Sequence, residues 1–261
     1  MSKPNSASRP PPSKRPLENP EVGARRAGAG PEPSRGAPAA TRQPRGVAGT
    51  ETRHPKGYET GSKPLVVGVT GASGAPYAVR LVEEAVRAGR EVRLVVTRAG
   101  RLVLADEAGL GGSAEAPDFS TIWPKKVLAH VRYTPAERLD APPASGSFDA
   151  EAVVVIPCTM NTAAAVAHGL STNLVQRAAH VALKEGRPLV LVPRETPMTA
   201  MDLENLAILA RAGAAVVPAM PGFYHRPRSV GDLVDFIVGK VLSRLGIEHD
   251  LDVRWPGCED R

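Results

Sequence analysis

The sequence predicts one α/β domain built on a doubly wound, mainly parallel sheet with helices on both faces. Three observations point there. From residue 64 onward, short β-branched runs alternate with stretches of helical period, the rhythm of strand–helix–strand units. Runs such as PLVVGVT and EAVVVIP are apolar along most of their length rather than alternating, as strands covered on both faces are. Hydroxyl, Arg, Glu and Tyr residues recur just after these runs, where ligands bind on such sheets.

Each element follows from its local pattern. PLVVGVT (64–70) reads as a buried strand that enters the turn Gly71-Ala72-Ser73-Gly74, and APYAVRLVEEAVRAG (75–89) as a helix closed by a glycine. EVRLVVT (91–97) is the next strand, followed by a helix over about 98–108. The stretch 109–150 is less regular and holds a possible strand, KVLAHVRY (126–133). EAVVVIP (151–157) is a buried strand, and a helical region covers 160–185 with an interruption at Gly169. RPLVLVP (187–193) and AAVVPA (214–219) are strands, with a helix at MDLENLAILARAG (201–213) between them and SVGDLVDFIVGKVLSRLG (229–246) as the closing helix.

The first sixty residues do not share this pattern. They hold 11 of the 26 prolines and almost no large apolar side chains, so residues 1–61 are expected to be a disordered Pro/Arg-rich tail. The domain is expected over 62–249, with a C-terminal extension at 250–261. The tail carries 11 of the 33 Lys/Arg and 5 of the 27 Asp/Glu, which leaves 22 of each sign for residues 62–261. The basic balance therefore belongs to the tail. The domain has no basic stripe or recognisable nucleic-acid module, so specific nucleic-acid binding is not expected.

Two distant cysteines, Cys158 and Cys258, make no disulfide framework, and no apolar signal region is present; a reducing cytoplasm is the natural compartment. No apolar run approaches the ~18 residues of a membrane span. The six histidines show no zinc-like spacing, and no metal is expected.

A strand–glycine turn–helix is the usual way of presenting backbone N–H groups to an anion. The spacing of Gly68, Gly71 and Gly74 does not give the dinucleotide fingerprint, Ala75 stands where a nucleotide P-loop needs Lys, and it also breaks the nucleophile elbow. A hydrolase triad of Ser73, His225 and Asp202 is thereby disfavoured. Cys158 reads as a packed strand-end residue rather than a nucleophile, and His180 as structural.

GASGAPYAVRL, SGSF (145–148), PCTMNT, LVQRAAHVALKEGRPLVLVPRETPM and PGFYHRP together resemble the UbiX-type flavin prenyltransferases, once described as aromatic-acid decarboxylase subunits, within a wider flavodoxin-like (Rossmann-like), FMN-binding group. The resemblance spans about residues 64–249. It implies that Gly71, Ala72, Ser73, Thr97, Thr159, Met160, Asn161, Thr162 and Arg177 contact FMN, and that Lys184, Arg194, Glu195, Tyr224 and Lys240 surround dimethylallyl phosphate. Glu107 matches the acidic residue near the flavin ring. Thr97 stands where the family usually has Ser, Lys240 where it has Arg, and Asn161 where a basic or small residue is common. Family members are commonly homo-oligomers, often dodecamers, with the flavin at a subunit junction, and their product serves a UbiD-type decarboxylase. The alternatives are an FMN-dependent cysteine-type decarboxylase or a flavin-binding module without catalysis.

These residue types suit the implied chemistry. A prenyl phosphate needs cationic and O–H donors around its leaving group, while the allylic cation stays dry. Lys184, Arg194, Tyr224 and Lys240 supply such donors. Ser73, Glu107 and Glu195 are the expected catalytic set: Ser73 hydrogen-bonds the flavin near N5, and Glu195 moves a proton to the phosphate or from the flavin. The glycine loop is expected to take one terminal phosphate, so FMN is preferred over FAD or a nicotinamide.

Overall fold

The computed structural model describes residues 63–251. The N-terminal tail, Cys258 and all but the first two residues of the C-terminal extension lie outside the described residues.

The described chain runs β1 (Leu65–Val69), α1 (Ala75–Arg87), β2 (Val92–Val96), α2 (Arg98–Ala108), a two-stranded hairpin of β3 (Gly111–Gly112) and β4 (Pro117–Asp118), α3 (Lys125–Leu128) and β5 (Val131–Pro135). It continues through β6 (Ala152–Cys158), α4 (Met160–Ala167), α5 (Leu174–Lys184), β7 (Leu189–Pro193), α6 (Ala200–Arg211), β8 (Ala215–Val216) and α7 (Val230–Leu245). Six strands form one sheet in the order β5-β2-β1-β6-β7-β8, and every neighbouring pair is parallel. The β1, β6 and β7 strands are buried at every position, which is why their sequences carry no alternation.

Two cores flank the sheet. Leu65, Val67 and Val69 of β1 pack with the apolar stripes of α1, α2 and α7 on one face. Val66 packs with Val153 and Val155 of β6 and with α4, α5 and α6 on the other. In α1 the stripe is Ala75, Ala78, Leu81, Val82 and Ala85, the spacing that keeps side chains on one side of a helix. Both α6 and α7 begin with a full capping box, Thr199 with Asp202 and Ser229 with Asp232. Asp202 is thus spent on a helix start and is not part of a triad.

The stretch KVLAHVRY is the one place where the expected element changes kind. Pro124 opens the short helix α3, and the strand begins only at Val131. A proline pre-sets the backbone for a helical first turn, and a short apolar run cannot by itself tell helix from strand. The last strand is also shorter than AAVVPA: β8 keeps only Ala215 and Val216, although the Val217 and Ala219 amides still donate to the Leu191 and Pro193 carbonyls at 2.8 and 2.9 Å.

From β1 the chain winds outward through β2 to β5, then crosses to β6 on the other side of β1. The helices after β1 and β6 therefore leave toward opposite faces, α1 to one core and α4 to the other. The strands' carboxyl ends part there, and a crevice opens between them.

Candidate active site

Three helices begin around this crevice. The Thr97 and Thr159 hydroxyls cap α2 and α4, accepting from the Gly100 and Thr162 amides at 3.0 and 3.2 Å. Asn161 is exposed and Thr162 buried at the start of α4. Met160 is 7 % exposed and packs in the core, so it can offer a ligand only its backbone. The Met160 and Asn161 amides have no carbonyl within α4 to pair with, because they open the helix.

The third helix start, α1, is already filled. Glu107 reaches back from α2, and its Oε2 accepts from the Gly74 and Ala75 amides at 2.7 and 2.8 Å. This corrects the reading of the glycine loop as a phosphate cradle: its anion is an internal carboxylate. Burial pushes the Glu107 pKa up, but the Ser73 hydroxyl, the two amides and the charge of Arg194 outweigh that and hold it below the usual carboxylate range. The turn itself is tight. Gly74 has φ 125°, a conformation side chains rarely adopt, and a Cβ on Gly71 would stand 2.5 Å from that of Ala99. Ala72 is buried and Ser73 exposed.

Arg194 and Glu195 follow β7 on the same rim. Arg194 Nε donates to the Ser73 carbonyl at 3.1 Å and the Arg194 amide to the Cys158 carbonyl at 3.3 Å. Ser73, Glu107 and Arg194 thus form one cluster. Glu195 Oε1 accepts from the Thr196 amide at 3.1 Å. Cys158 has no exposed area, and burial pushes its thiol up to about 12, so it offers no nucleophile.

Tyr224 lies in the loop before α7, in an aromatic group with His225 and Phe236. His225 stacks on Phe236 at 5.1 Å and 12°, and Tyr224 meets Phe236 edge-on at 5.6 Å. Lys240, one turn further along α7, places Nζ 5.3 Å from the Phe236 centroid. The group flanks the glycine loop's helix, because α1 and α7 are joined by Arg80 and Asp235 at 2.7 Å.

Two expected residues bond to groups outside this cluster. Arg177 donates from Nε to the Ala144 carbonyl at 2.9 Å. Lys184 ends α5 and pairs with Glu185 at 3.0 Å beside Gly146. It precedes the amino end of β7, whereas Arg194 follows the carboxyl end, and five strand residues span about 16 Å. Within one chain Lys184 therefore does not join the Arg194 cluster. The His180 ring contacts the Ser171 hydroxyl at 3.4 Å, a structural role.

Sequence reasoning passed over two residues. Thr70 is buried at the end of β1 with both sides of its hydroxyl paired. Tyr77 lies along Gly74, within 3.2 Å of a Cβ built there, and its phenol is raised by burial, with the nearby Arg194 charge opposing. The hydroxyl closing the otherwise apolar LVVGV strand was the available signal for Thr70, since a buried hydroxyl needs partners.

Among the described residues, no cluster of three or more His, Cys, Asp or Glu side chains could hold a metal ion, and no helix is long and apolar enough to cross a membrane.

A parallel sheet whose switch point carries the free opening amides of α4 is suited to an anionic group, and the pattern of the Flavoprotein family matches residues 53–242. The protein is a flavoprotein. Curated relatives narrow the class. The chain is 44% identical over 199 residues to the flavin prenyltransferase UbiX of Pseudomonas aeruginosa, covering 75% of this chain and 95% of that protein. It is 44% identical over 192 residues to that of Halalkalibacterium halodurans, covering 72% and 91%. Among solved structures it resembles AnUbiX in complex with FMN and dimethylallyl pyrophosphate, with a TM-score of 0.67 and 34% identity over 76% of this chain and 99% of that one. A dodecameric FMN-dependent UbiX-like decarboxylase from Escherichia coli O157:H7 gives 0.65 and 39% over 74% and 99%. The chain belongs to the UbiX family of flavin prenyltransferases.

Proposed function

We propose that the protein transfers a dimethylallyl group from dimethylallyl phosphate to N5 and C6 of reduced FMN, releasing phosphate. The observation that carries this is the Ser73–Glu107–Arg194 cluster, with Glu195 beside it, on the rim of the crevice that a flavin would enter. The donor set fits FMN: the first amides of α4 with the Thr159 and Thr162 hydroxyls suit its phosphate, because the amides of α1 are spent on Glu107. FMN supplies the nucleophilic ring positions. Ser73 hydrogen-bonds near N5, and the ionised Glu107 orients its hydroxyl. Arg194 and Tyr224 draw charge from the departing phosphate oxygen, Lys240 adds a third donor, and Glu195 moves the proton. The protein works in the cytoplasm, and a UbiD-type decarboxylase uses the product.

The test is anaerobic incubation with reduced FMN and dimethylallyl monophosphate or pyrophosphate, followed by mass analysis of the flavin. A gain of one five-carbon prenyl unit is expected. Unmodified FMN with both donors, alongside oxidative decarboxylation of a cysteine substrate, overturns the assignment.

Arg177 and Lys184 enter the site from a second copy of the chain. The place of Lys184 before the amino end of β7, away from the Arg194 cluster, supports this arrangement, as does the dodecamer formed by the similar Escherichia coli protein. Lys184→Ala and Arg194→Ala should each be inactive alone. Dissociated and reassembled together, they should regain activity, because some junctions then combine two intact halves. A mixture no more active than either variant rejects the shared site.

A further inference from the structure

We propose that Thr70 is a positioning residue for the flavin site, holding the start of α4 at a fixed distance from the glycine loop across the crevice. The proposal rests on the FMN reading above. Thr70 is 1% exposed. Its Oγ1 donates to the Pro157 carbonyl at 2.7 Å and accepts from the Thr159 amide at 2.8 Å.

The need for such a clamp comes from the fold. The β1–β6 ladder runs in register from Leu65 and Ala152 to Gly68 and Val155. Beyond it the two chains part toward opposite faces, and no regular ladder continues to Thr159. One backbone bond remains, from the Thr70 amide to the Pro157 carbonyl at 3.2 Å, and the Thr70 side chain adds the two bonds that reach on to the start of α4. Thr70 holds the Thr159 amide, and Thr159 in turn accepts from the Thr162 amide and donates to the Thr162 hydroxyl at 2.9 Å. The direction of the opening amides of α4, at Met160 and Asn161, is set by this relay.

The other side of the crevice has little slack. Gly71, next in the chain, lies so close to Ala99 that even a Cβ would not fit, and Gly74 is held through Glu107. A shift at Thr70 is therefore taken up by α4 rather than by the glycine loop. Since α4 carries the donors that fit the FMN phosphate, the hydroxyl of Thr70 governs flavin affinity without touching the flavin.

The experiment uses the full chain and compares Thr70→Val, which keeps the shape but deletes both bonds, with Thr70→Ser, which keeps the hydroxyl. FMN dissociation constants are measured by flavin fluorescence well below the melting temperature of every variant, and the melting temperatures are measured without flavin. Thr70→Val is expected to weaken FMN about tenfold or more, the scale of one lost buried hydrogen bond, while Thr70→Ser stays within about twofold. At saturating FMN, KM for dimethylallyl phosphate should be unchanged in both, because its donors lie on other elements. Thr70→Val with wild-type FMN affinity and only a lowered melting temperature would reduce Thr70 to a structural pin and overturn the proposal. Should Thr70→Val fail to fold, Thr70→Ala is judged by the same criterion. Failure of the unaltered protein to bind FMN would instead overturn the flavin reading itself, and this proposal with it.

Discussion

Arg194→Ala should lower kcat/KM for dimethylallyl phosphate by about a hundredfold to a thousandfold, the range seen when one preorganised donor to developing negative charge is removed. The guanidinium is already oriented in the free protein by its bond to the Ser73 carbonyl, so it meets the phosphate without reorganising. FMN affinity should change much less, since the donors proposed for the cofactor sit on α4. Arg194→Lys should recover only part of the loss, because an ammonium keeps the charge but cannot hold Ser73 and the phosphate with one planar fork. Glu195→Gln should separate from both: kcat falls while KM for the prenyl phosphate stays near its wild-type value, as expected for a group that moves a proton rather than binds. Steady-state kinetics at saturating FMN, with flavin titrations alongside, distinguish these outcomes. Arg194→Ala with unchanged kcat/KM would remove Arg194 from the phosphate site.

Glu107→Ala should destabilise the folded protein by about 2–3 kcal/mol and reduce turnover sharply, because two charge-assisted bonds to the α1 amides and a favourable charge at its N-terminus are lost together. Glu107→Gln, which keeps one acceptor oxygen but no charge, should lie between. The effect has a pH signature. The Glu107 carboxyl is held below its ordinary value of 4.5 in the folded state, so its stabilisation is complete above pH 4.5 and is lost as pH falls through the lowered folded value. The stability gap between wild type and Glu107→Gln should therefore be constant near neutrality and close only under acid. Denaturant unfolding at a series of pH values measures it. A gap that persists unchanged at pH 2–3 would show that the carboxylate's charge is not what holds the loop.

The fold was legible because its central strands β1, β6 and β7 are apolar without interruption and its turns carry strong punctuation. The helix at 98–108 follows from Thr97 as cap and Gly109 as stop, and it forms with those bounds. The misreading at KVLAHVRY has a local cause, a proline just outside the quoted run. The site was legible in its chemistry but less so in its wiring. Ser73, Glu107 and Arg194 come together although they lie far apart in sequence, and the strand-end rule is what anticipates that. What the glycine turn holds could not be read from the turn, since its partner is Glu107, 32 residues from Ala75 along the chain. The place of Lys184 was hidden because sequence does not say at which end of a helix–strand unit a side chain will work.

The carboxylate fixed at the start of α1 also decides which nucleotides are turned away. In dinucleotide folds the first strand–turn–helix receives a pyrophosphate on these same amides. Here that seat is taken by a carboxylate within 3 Å of both, held below its ordinary pKa and so ionised near neutrality. An incoming diphosphate would meet like-charge repulsion as well as missing donors. FAD and nicotinamide dinucleotides are therefore expected to bind more weakly than FMN because of this occupancy, and titration with the three cofactors measures it. A descendant of this chain could acquire a dinucleotide only after surrendering Glu107, and with it the order of the loop that presents Ser73.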